Sequence, residues 1–189
     1  RNNMCGIAGI VNFESYSLNN IKKSLFHRGP DSQNIFIHNN IALIHTRLAV
    51  QDISHGKQPV HCENFSIVFN GEIYNHLQLR SEYLKESVFK TQSDTETLLQ
   101  LYIKYKNKMF DMLDGMFAFA ILDKDANKII LARDRIGKKP LYIYKNDSSL
   151  IFASELNSIK AAVKDLTINE DAISAYLRTG FFFKQYTPY

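Results

Sequence analysis

Cysteine and proline are scarce in this chain of 189 residues, with two of the first and four of the second. The thiols, Cys5 and Cys62, form no C-x-x-C pair and are too few for a disulfide scaffold, so the reading is a reduced, cytoplasmic protein. No metal site is expected either. His61, Cys62 and Glu63 are adjacent, and in a strand their side chains would alternate faces. Scarce proline, eight glycines and the lack of any block of like charge exclude extended disorder. No apolar run approaches the roughly 20 residues of a membrane span. No signal-peptide pattern is seen. The net charge of +4 is spread along the chain rather than gathered on a stripe or tail, which argues against nucleic acid as a partner.

What is present suits a globular protein: 45% hydrophobic and 22% charged residues. The length allows one domain with a sizeable core, or one domain and the start of another. Gly6 to Asn12 reads as a buried strand. A short helix is expected from about Asn19 to His27, with Ile21 and Leu25 on one face. HRGPD (His27 to Asp31) is a loop signal, followed by strands around Ile35 to Ile37 and Ile41 to Thr46. Leu48 to Pro59 reads as a loop. Phe65 to Phe69 is a strand that runs into Asn70-Gly71, a pair that by itself would be a hairpin turn. Helices are expected near Leu77 to Leu84 and after Asp94, which stands at an N-cap position. Strands at Met116 to Leu122, Lys128 to Ala132, Leu141 to Tyr144 and Leu150 to Ala153 precede a helix from Glu155 to Ala162. Asn169 to Thr179 is a further helix after a break at Asp165 to Thr167, read as the start of a second unit.

Met4 before Cys5 is a natural start site. Removing Arg1 to Met4, read here as leader residues, leaves Cys5 with a free α-amine. The thiol could then attack a carbonyl carbon while the amine takes its proton, because an α-amine has a reference pKa of about 7.7–8.0. Taken alone, Cys5 reads more readily as a buried structural thiol. Behind it stand HRGPD, HTRLAVQD (His45 to Asp52), NGEIYNH (Asn70 to His76), SDTE (Ser93 to Glu96) and RDRIGKKPLY (Arg133 to Tyr142), in that order.

With these motifs, from about Met4 to Ala162, the chain resembles the class II glutamine amidotransferases, which are N-terminal nucleophile hydrolases. Within them it looks most like the glutaminase domain of glutamine-hydrolysing asparagine synthetase. The resemblance implies an α+β fold, a four-layer αββα sandwich. It implies that Cys5 attacks the side-chain amide of L-glutamine and that Asn70 and Gly71 form the oxyanion hole. That role suits one amide donor beside a backbone N–H with no Cβ to obstruct it. It implies that Arg47 grips the substrate carboxylate, for which a planar guanidinium is suited. Leu48 and Val50 line the pocket, and Glu72 and Asp94 hold the α-ammonium. On local evidence alone Arg47 and Glu72 are equally surface charges, and Asp94 a helix cap. His27 is read as structural, and Lys138 and Lys139 as a solvated pair.

The implied organisation is leader 1–4, glutaminase domain 5–165 and the start of a synthetase domain at 166–189. That second domain, a partner on the same chain, would use ATP and Mg2+. Its SGG-x-D-S loop does not occur here, and no cofactor is expected in the glutaminase part. A homodimer is left open. Ser32-Gln33-Asn34 departs from the acidic residue and glycine usual after HRGPD, and is expected to alter the loop beside the pocket. Two other readings stand beside this one. They are a glutaminase domain serving an acceptor other than aspartate, and a non-catalytic glutamine-binding module.

Overall fold

The GIAGIV run forms β1 (Gly6–Val11), and its alternating side chains set up two of the three cores in the protein. Ile7 points one way, to Ile41, Leu43 and Phe152 of its own sheet and to Val68, Ala118, Ala120 and Leu122 of another. Ala8 and Ile10 point the other way, to Ile21, Leu25 and Ile159 on helices. The computed structural model describes residues 4–49, 56–183 and 186–189.

After β1 come α1 (Leu18–Ser24), a 3-10 turn (Phe26–Arg28), β2 (Ser32–His38), β3 (Ile41–Arg47) and β4 (Val60–Cys62). Then follow β5 (Phe65–Ile73), α2 (His76–Tyr83), α3 (Asp94–Tyr105), β6 (Gly115–Asp123) and β7 (Lys128–Arg133). The chain continues through β8 (Tyr142–Lys145), β9 (Leu150–Ala153), α4 (Leu156–Ala162) and α5 (Glu170–Thr179). One sheet has the order β2-β3-β1-β9-β8 and the other β4-β5-β6-β7; the paired strands within each run antiparallel.

The sheets face each other across the core around Ile7. β6 shows why they fit. Its Ala118, Ala120 and Leu122 face the other sheet, while Phe117, Phe119 and Ile121 face outward onto Leu98, Leu99, Leu101 and Tyr102 of α3. Small residues inside and large ones outside let the sheets pack closely and give the helix an apolar seat. With α1 and α4 on the outer face of the first sheet and α2 and α3 on that of the second, the layers read helix, sheet, sheet, helix. The α+β four-layer architecture therefore agrees with expectation.

The differences lie at element ends. β5 does not stop at Phe69; it runs through Asn70-Gly71 to Ile73, paired with β6 over its whole length. Asn-Gly is no turn here because β6 offers a partner for every residue. Ser93, not Asp94, caps α3, its hydroxyl accepting from the Glu96 N–H at 3.4 Å. Ser32-Gln33-Asn34 opens β2 rather than altering a loop. β4 is too short to show a sequence period. α1 ends at Ser24, short of His27. α5 begins behind Asn169, whose side chain accepts from the Ala172 N–H at 2.9 Å, and ends at Gly180 with φ +80.

Candidate active site

One cavity of about 270 Å3 is lined by Cys5, Arg47, Leu48, Asn70, Gly71, Glu72 and Asp94. The fold thus brings together all but one of the residues singled out from sequence. Val50 lies outside the described residues. Cys5 sits just before β1, facing the same side as Ile7 in the space between the sheets. Its Sγ lies 3.4 Å from the Leu48 N–H and 3.6 Å from the Leu48 carbonyl, so Leu48 meets it through the backbone. Burial pushes the Cys5 thiol above its ordinary pKa. The Leu48 backbone and the charges of Arg47 and Arg28 offset this only in part. The thiol at neutral pH therefore keeps its proton and needs a base to become a nucleophile.

Asn70 is buried, and its Nδ2 has no hydrogen-bond partner among the described residues. A buried amide donor left unpaired is costly, commonly about 1–3 kcal/mol, and calls for an explanation. Here it shares the cavity with a thiol.

The ladder around Gly71 directs a second donor to the same place. Its register partner Phe117 donates its N–H to Asp134 Oδ2 at 3.1 Å and accepts from the Asp134 N–H at 2.8 Å. Phe117 therefore faces β7, and the Gly71–Phe117 pair exchanges no ladder bonds. The odd-numbered N–H groups of β5 point to its other edge. Phe69 donates there to Gln58 Oε1 at 2.6 Å, and Ile73 to Asp94 Oδ2 at 3.0 Å. Gly71 lies between them and aims its N–H the same way, into the cavity. The glycine itself is required by the sheet: a Cβ would stand 2.2 Å from the Met116 carbonyl oxygen. Close approach to the neighbouring strand, rather than to a substrate, dictates this residue.

Arg47 ends β3 and is 6% exposed, so it is no surface charge. Gly29 packs directly under it. A Cβ there would stand 2.4 Å from the Thr46 carbonyl, which explains the glycine of HRGPD. Asp31 of the same motif donates its N–H to the Arg47 carbonyl at 3.1 Å and accepts from the Ala49 N–H at 2.7 Å. The motif thus fixes the backbone on both sides of Leu48. Asp94 is buried, and that burial holds its carboxyl above the ordinary range; the Ile73 N–H and His76 work the other way. Glu72 is half-buried on the cavity wall.

Arg28, Gln58 and Lys139 belong to the site but escaped the sequence reading. Arg28 is buried, with Nε on the Cys5 carbonyl at 3.1 Å and Nη1 on Glu155 Oε1 at 3.0 Å. His27 reaches the same Glu155 oxygen at 2.9 Å from the exposed side. Gln58 braces β5 through the Phe69 N–H. Lys139, read as solvated, is 5% exposed and lines the cavity; only Lys138 stays in solvent. The signal for Arg28 was present in HRGPD, where the arginine was taken as part of a loop-shaping element.

Two antiparallel sheets between helix layers, with a thiol and converging donors in the cleft at their edge, define a fold of the N-terminal nucleophile hydrolase type. The profile of the glutamine amidotransferase domain matches residues 4–189, and the chain belongs to that family. It is 38% identical to the putative asparagine synthetase [glutamine-hydrolyzing] 2 of Methanocaldococcus jannaschii, over 98% of this chain and 41% of that protein. It is 40% identical to asparagine synthetase [glutamine-hydrolyzing] 3 of Bacillus subtilis, over 84% of this chain and 28% of that protein. The chain thus spans less than half the length of these relatives. Among solved structures, the glutamine phosphoribosylpyrophosphate amidotransferase of B. subtilis, complexed with ADP and GMP, matches with a TM-score of 0.69 at 22% identity. That match covers 84% of this chain and 44% of the other, and shows a shared fold. No helix among the described residues is long and apolar enough to cross a membrane.

Proposed function

We propose that this domain hydrolyses L-glutamine to glutamate and ammonia through a thioester on Cys5. The observation that carries the reading is the orphaned Asn70 Nδ2, buried in the same cavity as the Cys5 thiol. With Arg1 to Met4 removed, the Cys5 amine takes the thiol proton as sulfur attacks the amide carbon. The oxygen of the tetrahedral intermediate collects the negative charge and is met by Asn70 Nδ2 and the Gly71 N–H. Collapse breaks the C–N bond, and the amine returns its proton to the leaving ammonia. Water then adds to the thioester with the amine again as base; the C–S bond breaks and glutamate leaves. Arg47 holds the substrate α-carboxylate, and Asp94 and Glu72 its α-ammonium.

In this reading the ammonia passes to an ATP- and Mg2+-dependent synthetase domain of the same cytoplasmic chain, which begins near residue 166 and amidates aspartate. The names of the relatives and the short share of their length that this chain spans support that reading. So does α5, which buries Ala172 but leaves Leu177 and the following Phe181 exposed. The test is ammonia release from glutamine by protein beginning at Cys5. Cys5→Ala should abolish it while leaving the circular dichroism and melting of the domain unchanged. Substantial turnover by that variant would remove Cys5 as the nucleophile.

A further inference from the structure

Lys139 is a buried charge that the reaction above does not use. Its ammonium lies 2.7 Å from Met4 Sδ, a weak acceptor, and has no ion-pair partner among the described residues. Burial, with Arg28 and Lys138 nearby, holds its pKa below that of an ordinary lysine, against the pull of Glu72 and Asp134. The loop cannot easily swing it out to water. Asp134 accepts the N–H groups of Lys138 at 2.7 Å and Lys139 at 2.9 Å, as well as that of Phe117 in β6. Burial raises the Asp134 carboxyl, but these backbone donors outweigh it and hold the group ionised below the usual range.

A buried cation with so weak a partner calls for a role. Met4 is the residue joined to Cys5. Once it is removed, the Cys5 nitrogen becomes an amine separated from the present place of Lys139 Nζ by no more than the reach of the methionine side chain and that 2.7 Å contact. Two like charges that close disfavour each other.

We propose that Lys139 is a positioning residue for the nucleophile, its ammonium keeping the α-amine of mature Cys5 neutral and ready to accept the thiol proton. The proposal rests on the reading of the site as a glutaminase with an N-terminal cysteine. The other charged groups around that amine come from every neighbouring element. Arg28 from the 3-10 turn and Arg47 from β3 act with Lys139. Glu72 from β5, Asp94 from α3, Asp134 from the β7–β8 loop and Glu155 before α4, paired with Arg28 at 3.0 Å, act against it. A bound substrate ammonium engages Glu72 and Asp94, which leaves the cations dominant when the base is needed.

The test uses chain beginning at Cys5, as wild type, Lys139→Met, Lys139→Gln and Lys139→Arg. Two quantities are measured: the titration of the Cys5 amine by NMR of labelled cysteine, and the acid limb of kcat/KM for glutamine. Both should move up by roughly one pH unit in the methionine and glutamine variants, with the rate recovering at higher pH. The arginine variant should stay near wild type. An amine titration and acid limb that do not move in the neutral variants, whatever the overall rate, would overturn the proposal. Wild-type chain that binds glutamine without hydrolysing it would instead overturn the glutaminase reading, and the amine titration would still decide the role of Lys139.

Discussion

His45 should make this protein acid-sensitive in a way that a single substitution removes. It lies two residues before Arg47 on β3 and is fully buried. Neither ring nitrogen has a hydrogen-bond partner at normal geometry among the described residues. Burial lowers its pKa from 6.5 to about 3; the Phe69 backbone opposes this, and Arg47 adds to it. Between those values the unfolded chain takes up a proton that the folded chain refuses. The stability due to the neutral ring is therefore complete above the unfolded pKa and falls as the pH drops below it. At about pH 5 the loss should be about 2 kcal/mol, from roughly 1.5 units at 1.36 kcal/mol each. The assay is urea denaturation of wild type and His45→Gln at about pH 7 and about pH 5. Wild type should lose about 2 kcal/mol more than the variant between the two, since the carboxylates common to both cancel. Parallel losses would refute the reasoning, and would mean that His45 is protonated in the fold despite its burial and Arg47.

The remaining predictions concern the cavity itself. Asn70→Ala should lower kcat for glutamine by roughly 100- to 1,000-fold with little change in KM, because the donor meets charge that develops only in the transition state. It should not destabilise the fold by the usual cost of a lost hydrogen bond, since Nδ2 makes none in the resting site; equilibrium unfolding checks this second half. Arg47→Lys should mainly raise KM for glutamine, because an ammonium cannot reproduce a bidentate grip on the carboxylate. An unchanged KM would remove the clamp from the account.

The strands were legible because a buried strand writes a short run of apolar residues, and β1, β3, β5 and β6 are long enough to show it. β4, with three residues, is not. Asn70-Gly71 was ambiguous for a physical reason: the pair is a turn when nothing lies beside it, and strand when β6 does. The shift of the cap from Asp94 to Ser93 is a one-residue matter of local geometry, yet it frees the Asp94 carboxylate to brace Ile73 and face the cavity. Among the site residues, Cys5, Asn70, Gly71, Arg47, Leu48, Glu72 and Asp94 converge as their motifs suggested. Arg28 and Lys139 did not announce themselves. A charged residue in a loop motif looks solvated in sequence, and only the packing of the loop against the sheets shows that it is buried. The three outward N–H groups of Phe69, Gly71 and Ile73 are likewise a property of register, which no local pattern records.

The central claim is that the Cys5 amine is the base, and removal of the leader tests it most directly. Protein carrying Arg1 to Met4 and protein beginning at Cys5, each verified by mass spectrometry, are compared for ammonia release from glutamine. In the first the Cys5 nitrogen is an amide with no basic lone pair, and burial keeps the thiol protonated. The account predicts activity in the second and almost none in the first. Equal activity in both would contradict it, because the proton would then leave the thiol by another route.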